Sequence, residues 1–144
     1  MTARLEAIWI KRAHRGKMDE VREAAAIAGQ GLQGNVDRSR RRQVTIIERE
    51  TWDAITRELG EDVPASSRRA NLMVSGVELK ETRGKVLRVG GVRLAIGGET
   101  TPCERMDEAF PGLRDALRPN WGGGVFAQIL DDGVITVGDA VSWE

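Results

Sequence analysis

The chain is poor in the residues that build cross-links and metal clusters. Its 144 residues include one cysteine and one histidine. An internal disulfide is therefore excluded, as is any thiolate-only metal cluster within one chain. His14, the sole histidine, has no cysteine or carboxylate cluster at metal-ligand spacing around it. A Ser-His-Asp triad would have to recruit His14, and no nucleophile elbow accompanies it. Net charge is also lacking: 22 Lys and Arg balance 22 Asp and Glu. A neutral chain has no global attraction for nucleic acid or a membrane surface, so neither is expected as a general partner. No apolar run approaches the ~20 residues that span a bilayer. The N-terminus lacks the apolar core of a signal peptide, and the expected compartment is the cytoplasm.

What is present reads as one β-rich domain over residues 1–144. Leu5 to Lys11 alternates and predicts a strand. Met18 to Ala28 is rich in Ala and Glu, and propensity predicts a helix. Gln30 to Arg42 holds Gly31, Gly34 and Asn35 before an arginine run, and reads as a loop. Gln43 to Glu48 predicts a strand, and Thr51 to Leu59 a helix capped by Thr51 and ended by Gly60. Short strands follow at Asn71 to Val74 and Lys85 to Val89, the latter turning through Gly90-Gly91 into Val92 to Ile96. Glu104 to Leu117 is helical, with a break at Pro111-Gly112. Gly124 to Leu130 and Val134 to Ser142 read as a final hairpin. About six or seven short strands, two or three short helices and no βαβ rhythm predict a curled, mostly antiparallel sheet or barrel.

Thr100-Thr101-Pro102-Cys103-Glu104 is the most specific local feature. Thr101 and Glu104 have capping-box spacing, and Pro102 suits the first helical position. That reading puts Cys103 in a helix's first turn, where unpaired N–H groups favour a thiolate. A thiolate can attack a sulfur donor and hold a persulfide, or bind a soft metal. The competing reading is an inert, buried cysteine that only packs.

The chain also resembles a known family. Gly31-Leu32-Gln33-Gly34-Asn35, Arg42-Gln43-Val44, Asn71-Leu72-x-Val74-x-Gly76 and Gly84-x-x-Leu87-x-Val89-Gly90 are followed by Pro102-Cys103, Gly123-Gly124-Val125 and Gly138-Asp139-x-Val141. In this order they resemble the MOSC family, the molybdenum cofactor sulfurase C-terminal domain. The resemblance implies a mostly β fold, a MOSC-like β-barrel with a few short helices, and a partly extended Met18 to Ala28. It implies that Cys103 is the signature cysteine, accepting sulfur as a persulfide or ligating molybdenum of a pterin cofactor. The family commonly has an acid where Asn35 stands; the nearest acid in this chain is Asp37, and whether it compensates is left open.

The molybdenum cofactor is thus the implied bound group, and no pyridoxal-phosphate domain is fused to this chain. Sulfur would come from a separate donor such as a cysteine desulfurase, or electrons from a separate electron donor. A homo-oligomer is compatible with the sequence.

Candidate cofactor contacts are Arg42, Arg68, Arg69, Asn71, Thr100, Thr101, Gly123 and Gly124. Arginine forks suit the oxygens of phosphate or molybdate, although the run Arg38, Arg40, Arg41 and Arg42 also reads as a solvated loop. Asn71 suits a turn as well as a ligand, and Gly122 to Gly124 a sharp bend as well as close ligand approach. Three functions stay open: a sulfur carrier or sulfurtransferase, a molybdenum-dependent reductase of N-hydroxylated compounds, and a non-catalytic binding or assembly module.

Overall fold

Side-chain alternation along β1 (Arg4–Lys11) divides the molecule into two cores. Leu5, Ile8 and Ile10 face one apolar cluster, and Ala7 and Trp9 face the other. Leu5 and Ala7 would share a face in a regular strand. A bulge between them shifts the register and sends them to opposite faces. The computed structural model describes residues 2–144.

After β1 come β2 (Met18–Val21), β3 (Glu23–Ile27), β4 (Gly31–Leu32), β5 (Val44–Glu48), helix α1 (Arg49–Leu59) and β6 (Leu72–Ser75). Next are β7 (Val86–Val89), β8 (Val92–Glu99), helices α2 (Glu104–Ala109) and α3 (Leu113–Leu117), β9 (Val125–Ile129), β10 (Gly133–Thr136) and β11 (Val141–Trp143). The protein is mostly β with a few short helices, as the sequence indicated.

An 8-stranded sheet runs β11-β7-β8-β9-β5-β6-β1-β2, and a 3-stranded sheet runs β10-β3-β4. All pairings are antiparallel except β5 with β6. The large sheet curls until Arg4 bridges Ala140, and Leu5 N–H donates to the Asp139 carbonyl at 2.9 Å. This contact is a single bridge, so the sheet is curled without closing into a barrel. One core lies within the curl. The other lies under the helices, where Trp52, Ile55, Met106, Leu113 and Leu117 cover Ile47 and Met73. No helix among the described residues is long and apolar enough to cross a membrane.

Three expectations are corrected. Met18 to Ala28 is two strands, as the family resemblance implied and propensity did not. Glu20 pairs with Trp9, and Ala25 with Val134. Helix propensity differs by only tenths of a kcal/mol per residue, and ladder pairing outweighs it. Helix α1 begins at Arg49, two residues before the expected cap at Thr51, though Gly60 ends it in the left-handed region as anticipated. The final hairpin is also absent. Asp131 is held by Arg93 and Asp132 by the Ala28 N–H, so the chain leaves β9 sideways. β10 then joins β3, and β11 joins β7.

Candidate functional site

Cys103 lies at the surface, on the last extended residue before α2. The capping box is not formed: Cys103 itself is the N-cap, and no side chain caps the helix. Thr101 and Glu104 are both exposed. The preceding strand β8 stays extended through Glu99, and Pro102 is buried, so the helix starts two residues later than the sequence pattern suggests.

Arg68 is the residue that organises this end of the molecule. It ends a 3-10 turn, Ala65–Arg68, and Arg69 follows in the left-handed region at φ 64°. The turn sends the two side chains different ways. Arg68 is 6% exposed, and Arg69 is half-buried. Arg68 Nε donates to the Gly123 carbonyl at 2.8 Å, and Nη2 to the Thr100 carbonyl at 3.4 Å. No carboxylate pairs with it among the described residues. Burial pushes its pKa down to about 10, Cys103 pulls it back up, and Arg42 lowers it further. The guanidinium is thus a charged group at neutral pH, and Cys103 lies within its electrostatic reach. Arg69 is also lowered, chiefly by burial and then by Arg105, and is likewise drawn by Cys103.

Arg42 is exposed and stacks over the Phe126 ring, 4.8 Å from its centroid. With Arg69, Lys11 and Arg38 it lines a pocket of about 160 Å³. Asp37, the carboxylate in that lining, is bridged to Lys11 Nζ at 2.8 Å and to His14 Nδ1 at 2.8 Å. Arg38, Arg42 and Arg69 have no acidic partner there.

Asn71 is buried and its amide is fully engaged. Nδ2 donates to the Trp9 carbonyl at 3.2 Å and to Asn35 Oδ1 at 3.1 Å, while Oδ1 accepts from the Thr45 N–H at 3.1 Å. Asn35 Oδ1 also accepts from the Lys11 N–H at 2.8 Å. At this position the fold needs an acceptor, which an acid supplies equally well. The departure from the family pattern therefore leaves the pocket wall intact.

The glycines are occupied by the protein's own backbone. A Cβ on Gly123 would lie 2.4 Å from the Thr100 carbonyl oxygen, and one on Gly124 would lie 2.1 Å from that of Ile46. Thr100 is 7% exposed, and its Oγ1 is buried with no hydrogen-bond partner. Such a hydroxyl costs about 1–3 kcal/mol if it stays unpaired.

Cys103, Arg42, Arg68, Arg69, Thr100 and Gly123 are therefore brought to one end of the sheet, with Asn71 behind the pocket. Sequence reasoning missed Lys11 and the Asn35–Asn71 pair. Lys11 and Asn71 are 60 positions apart in numbering, and only the β1–β6 pairing brings their segments together.

A curled β-sheet that presents one exposed thiol at the same end as several arginines without carboxylate partners among the described residues defines a small, mostly β, cysteine-bearing domain. The comparisons make this specific. The MOSC domain profile matches residues 15–142, and the chain belongs to that family. YuaD from Bacillus subtilis superposes with a TM-score of 0.84 at 21% identity, over 98% of this chain and 94% of that one. YiiM from Geobacillus stearothermophilus gives 0.77 at 17% identity, over 99% and 75%. YiiM from Escherichia coli gives 0.75 at 15% identity, over 100% and 70%. These likenesses concern the fold. No curated protein sequence matches the chain.

Proposed function

We propose that the protein is a sulfur carrier of the MOSC family, with Cys103 as the sulfur-bearing residue. The observation that carries this reading is an exposed thiol three residues after the Thr100 carbonyl that buried Arg68 holds, Arg68 being a cation without a carboxylate partner among the described residues. A buried cation without a counter-ion favours anionic species beside it, and a persulfide is such a species. In the transfer, the Cys103 sulfur attacks the terminal sulfur of a donor persulfide, R–S–SH. The donor S–S bond breaks, a new S–S bond forms at Cys103, and the donor leaves as RS⁻. Starting from the thiolate, the proton of the transferred sulfur passes to RS⁻, so Cys103 carries the anionic persulfide and there is no net oxidation.

The MOSC family is associated with the molybdenum cofactor. The residues fit its polar end: Cys103 offers a soft ligand, and Arg42, Arg69 and Lys11 surround a hollow of phosphate size. When bound, the group would supply a metal able to accept sulfur or electrons. The exposure of Cys103 supports a second reading, in which its sulfur ligates molybdenum in a reductase served by a separate electron donor.

The test is to incubate the protein with glutathione persulfide, remove excess donor and release bound sulfane sulfur with cyanide. One sulfur per chain is expected for wild type and none for Cys103→Ser. Equal release from both proteins rejects the carrier. Stoichiometric molybdenum in protein from a cofactor-producing host, lost in Cys103→Ser, selects the second reading.

A further inference from the structure

Not every arginine at this end is explained by the pocket. Arg40 and Arg41 do not line it. Both are exposed, and neither has an ion-pair partner among the described residues. Arg15 is likewise exposed and unpaired, and it repels Arg69.

The loop that carries Arg40 and Arg41 is nevertheless fixed. The Ser39 N–H donates to the Arg42 carbonyl at 3.1 Å, and the Arg42 N–H donates to Ser39 Oγ at 3.1 Å. The Arg40 carbonyl accepts from Gln43 Nε2 at 2.9 Å and from Gln128 Nε2 at 3.0 Å. Gln43 is buried, and its Oε1 accepts from the Ile129 N–H at 2.8 Å. Two glutamines thus clamp the loop backbone to β9 and leave the guanidiniums in solvent. Arg41 and Arg42 lie over the same ring, Phe126, at 5.9 and 4.8 Å.

A chain with zero net charge gains no stability by collecting unpaired like charges on a clamped loop. A binding surface gains from them, because steering and register come from complementary charge. A phosphate-sized anion needs only the residues lining the pocket, so the outer cations suit a larger, acidic object. Phe126 is 7% exposed beneath Arg42, which leaves no open stacking platform for nucleic acid. Residues 37–42 carry no apolar side chain to insert into lipid.

We propose that Arg40 and Arg41 form a docking face for an acidic protein surface, that of the persulfide-bearing enzyme that loads Cys103. This proposal rests on the sulfur-carrier reading. A clamped loop holds the cations in register, so the partner's carboxylates meet a fixed pattern.

The experiment compares two donors. One is a cysteine desulfurase of the host, loaded with ³⁵S from labelled cysteine, and the other is glutathione persulfide. In wild type, transfer from the desulfurase is fast and falls steeply with salt. The double variant Arg40→Ser/Arg41→Ser should slow desulfurase transfer about tenfold and flatten its salt dependence, with glutathione persulfide transfer changed less than about twofold.

Wild-type rates in the double variant would overturn the docking face. So would equal losses with both donors, or loading of wild type by glutathione persulfide alone. Salt-sensitive binding of a single-stranded oligonucleotide, abolished in the double variant, would reassign the surface to nucleic acid. If wild type takes sulfur from neither donor, the carrier reading itself has failed, and the docking face falls with it.

Discussion

Arg68 donates its Nε–H to the carbonyl of Gly123 at 2.8 Å, and this bond ties the turn before β6 to the glycine run before β9. The same guanidinium reaches the Thr100 carbonyl, so the segment leading to Cys103 is held from the same point. Charge and scaffold are therefore supplied by one side chain. Replacing it with Met keeps most of the volume but leaves the Gly123 and Thr100 carbonyls without this donor. Arg68→Met should lose about 2–4 kcal/mol of stability, measured by urea unfolding. An unchanged midpoint would show that the bonds contribute nothing net.

Cys103 should select reagents by charge. Iodoacetate is an anion and iodoacetamide is neutral, so their rate ratio reports the local potential at the sulfur. The ratio at Cys103 should exceed that of free cysteine severalfold and fall toward it as salt rises. Arg69→Gln should lower it, because Arg69 is one of the two cations drawn to this sulfur. A ratio equal to that of free cysteine in low salt would contradict the electrostatic account.

Gly124 should not tolerate a side chain. Its φ is +90°, and a Cβ would lie 2.1 Å from the Ile46 carbonyl oxygen. Backbone strain and a backbone clash act together, so Gly124→Ala should cost about 3 kcal/mol or more. A melting temperature within a degree of wild type would mean that β5 and β9 can separate freely.

Glu48 gives a pH prediction with a definite sign. Burial raises its carboxyl pKa, the Leu79 N–H and Thr51 pull it down, and Glu50 and Glu78 raise it further. A carboxyl raised in the folded state destabilises the fold while ionised. That penalty disappears as pH falls through the folded value toward the ordinary carboxylate range. Glu48→Gln should therefore melt higher than wild type at pH 7, and the difference should close near about pH 4. Glu6, Asp37 and Asp131 have lowered pKa values and weaken the fold as acid protonates them. They are present in both proteins and cancel in the difference. A Gln variant that melts lower at pH 7 would refute the assignment.

Several features of the fold could be read directly from the chain. The alternation in β1, the glycine turn between β7 and β8, and the break at Pro111-Gly112 are local, because residue chemistry there restricts φ or fixes periodicity. Met18 to Ala28 was misread for the opposite reason: alanine and glutamate barely bias the backbone, and the partner strands lie elsewhere in sequence. The helix start at Cys103 was misplaced because capping-box spacing permits that cap without enforcing it.

The sequence by itself determined that this is a small, neutral, mostly β domain with one thiol, and its ordered motifs carried the family. Those properties follow from composition and short-range periodicity, which need no partner in space. Only the tertiary structure decided that Arg68 is buried while Arg69 lines the pocket, that Asn35 and Asn71 share a buried side-chain hydrogen bond, and that the arginine loop is clamped to β9. Each of these depends on a carbonyl or amide contributed by a strand far away in sequence. Such pairings are set by how the sheet curls.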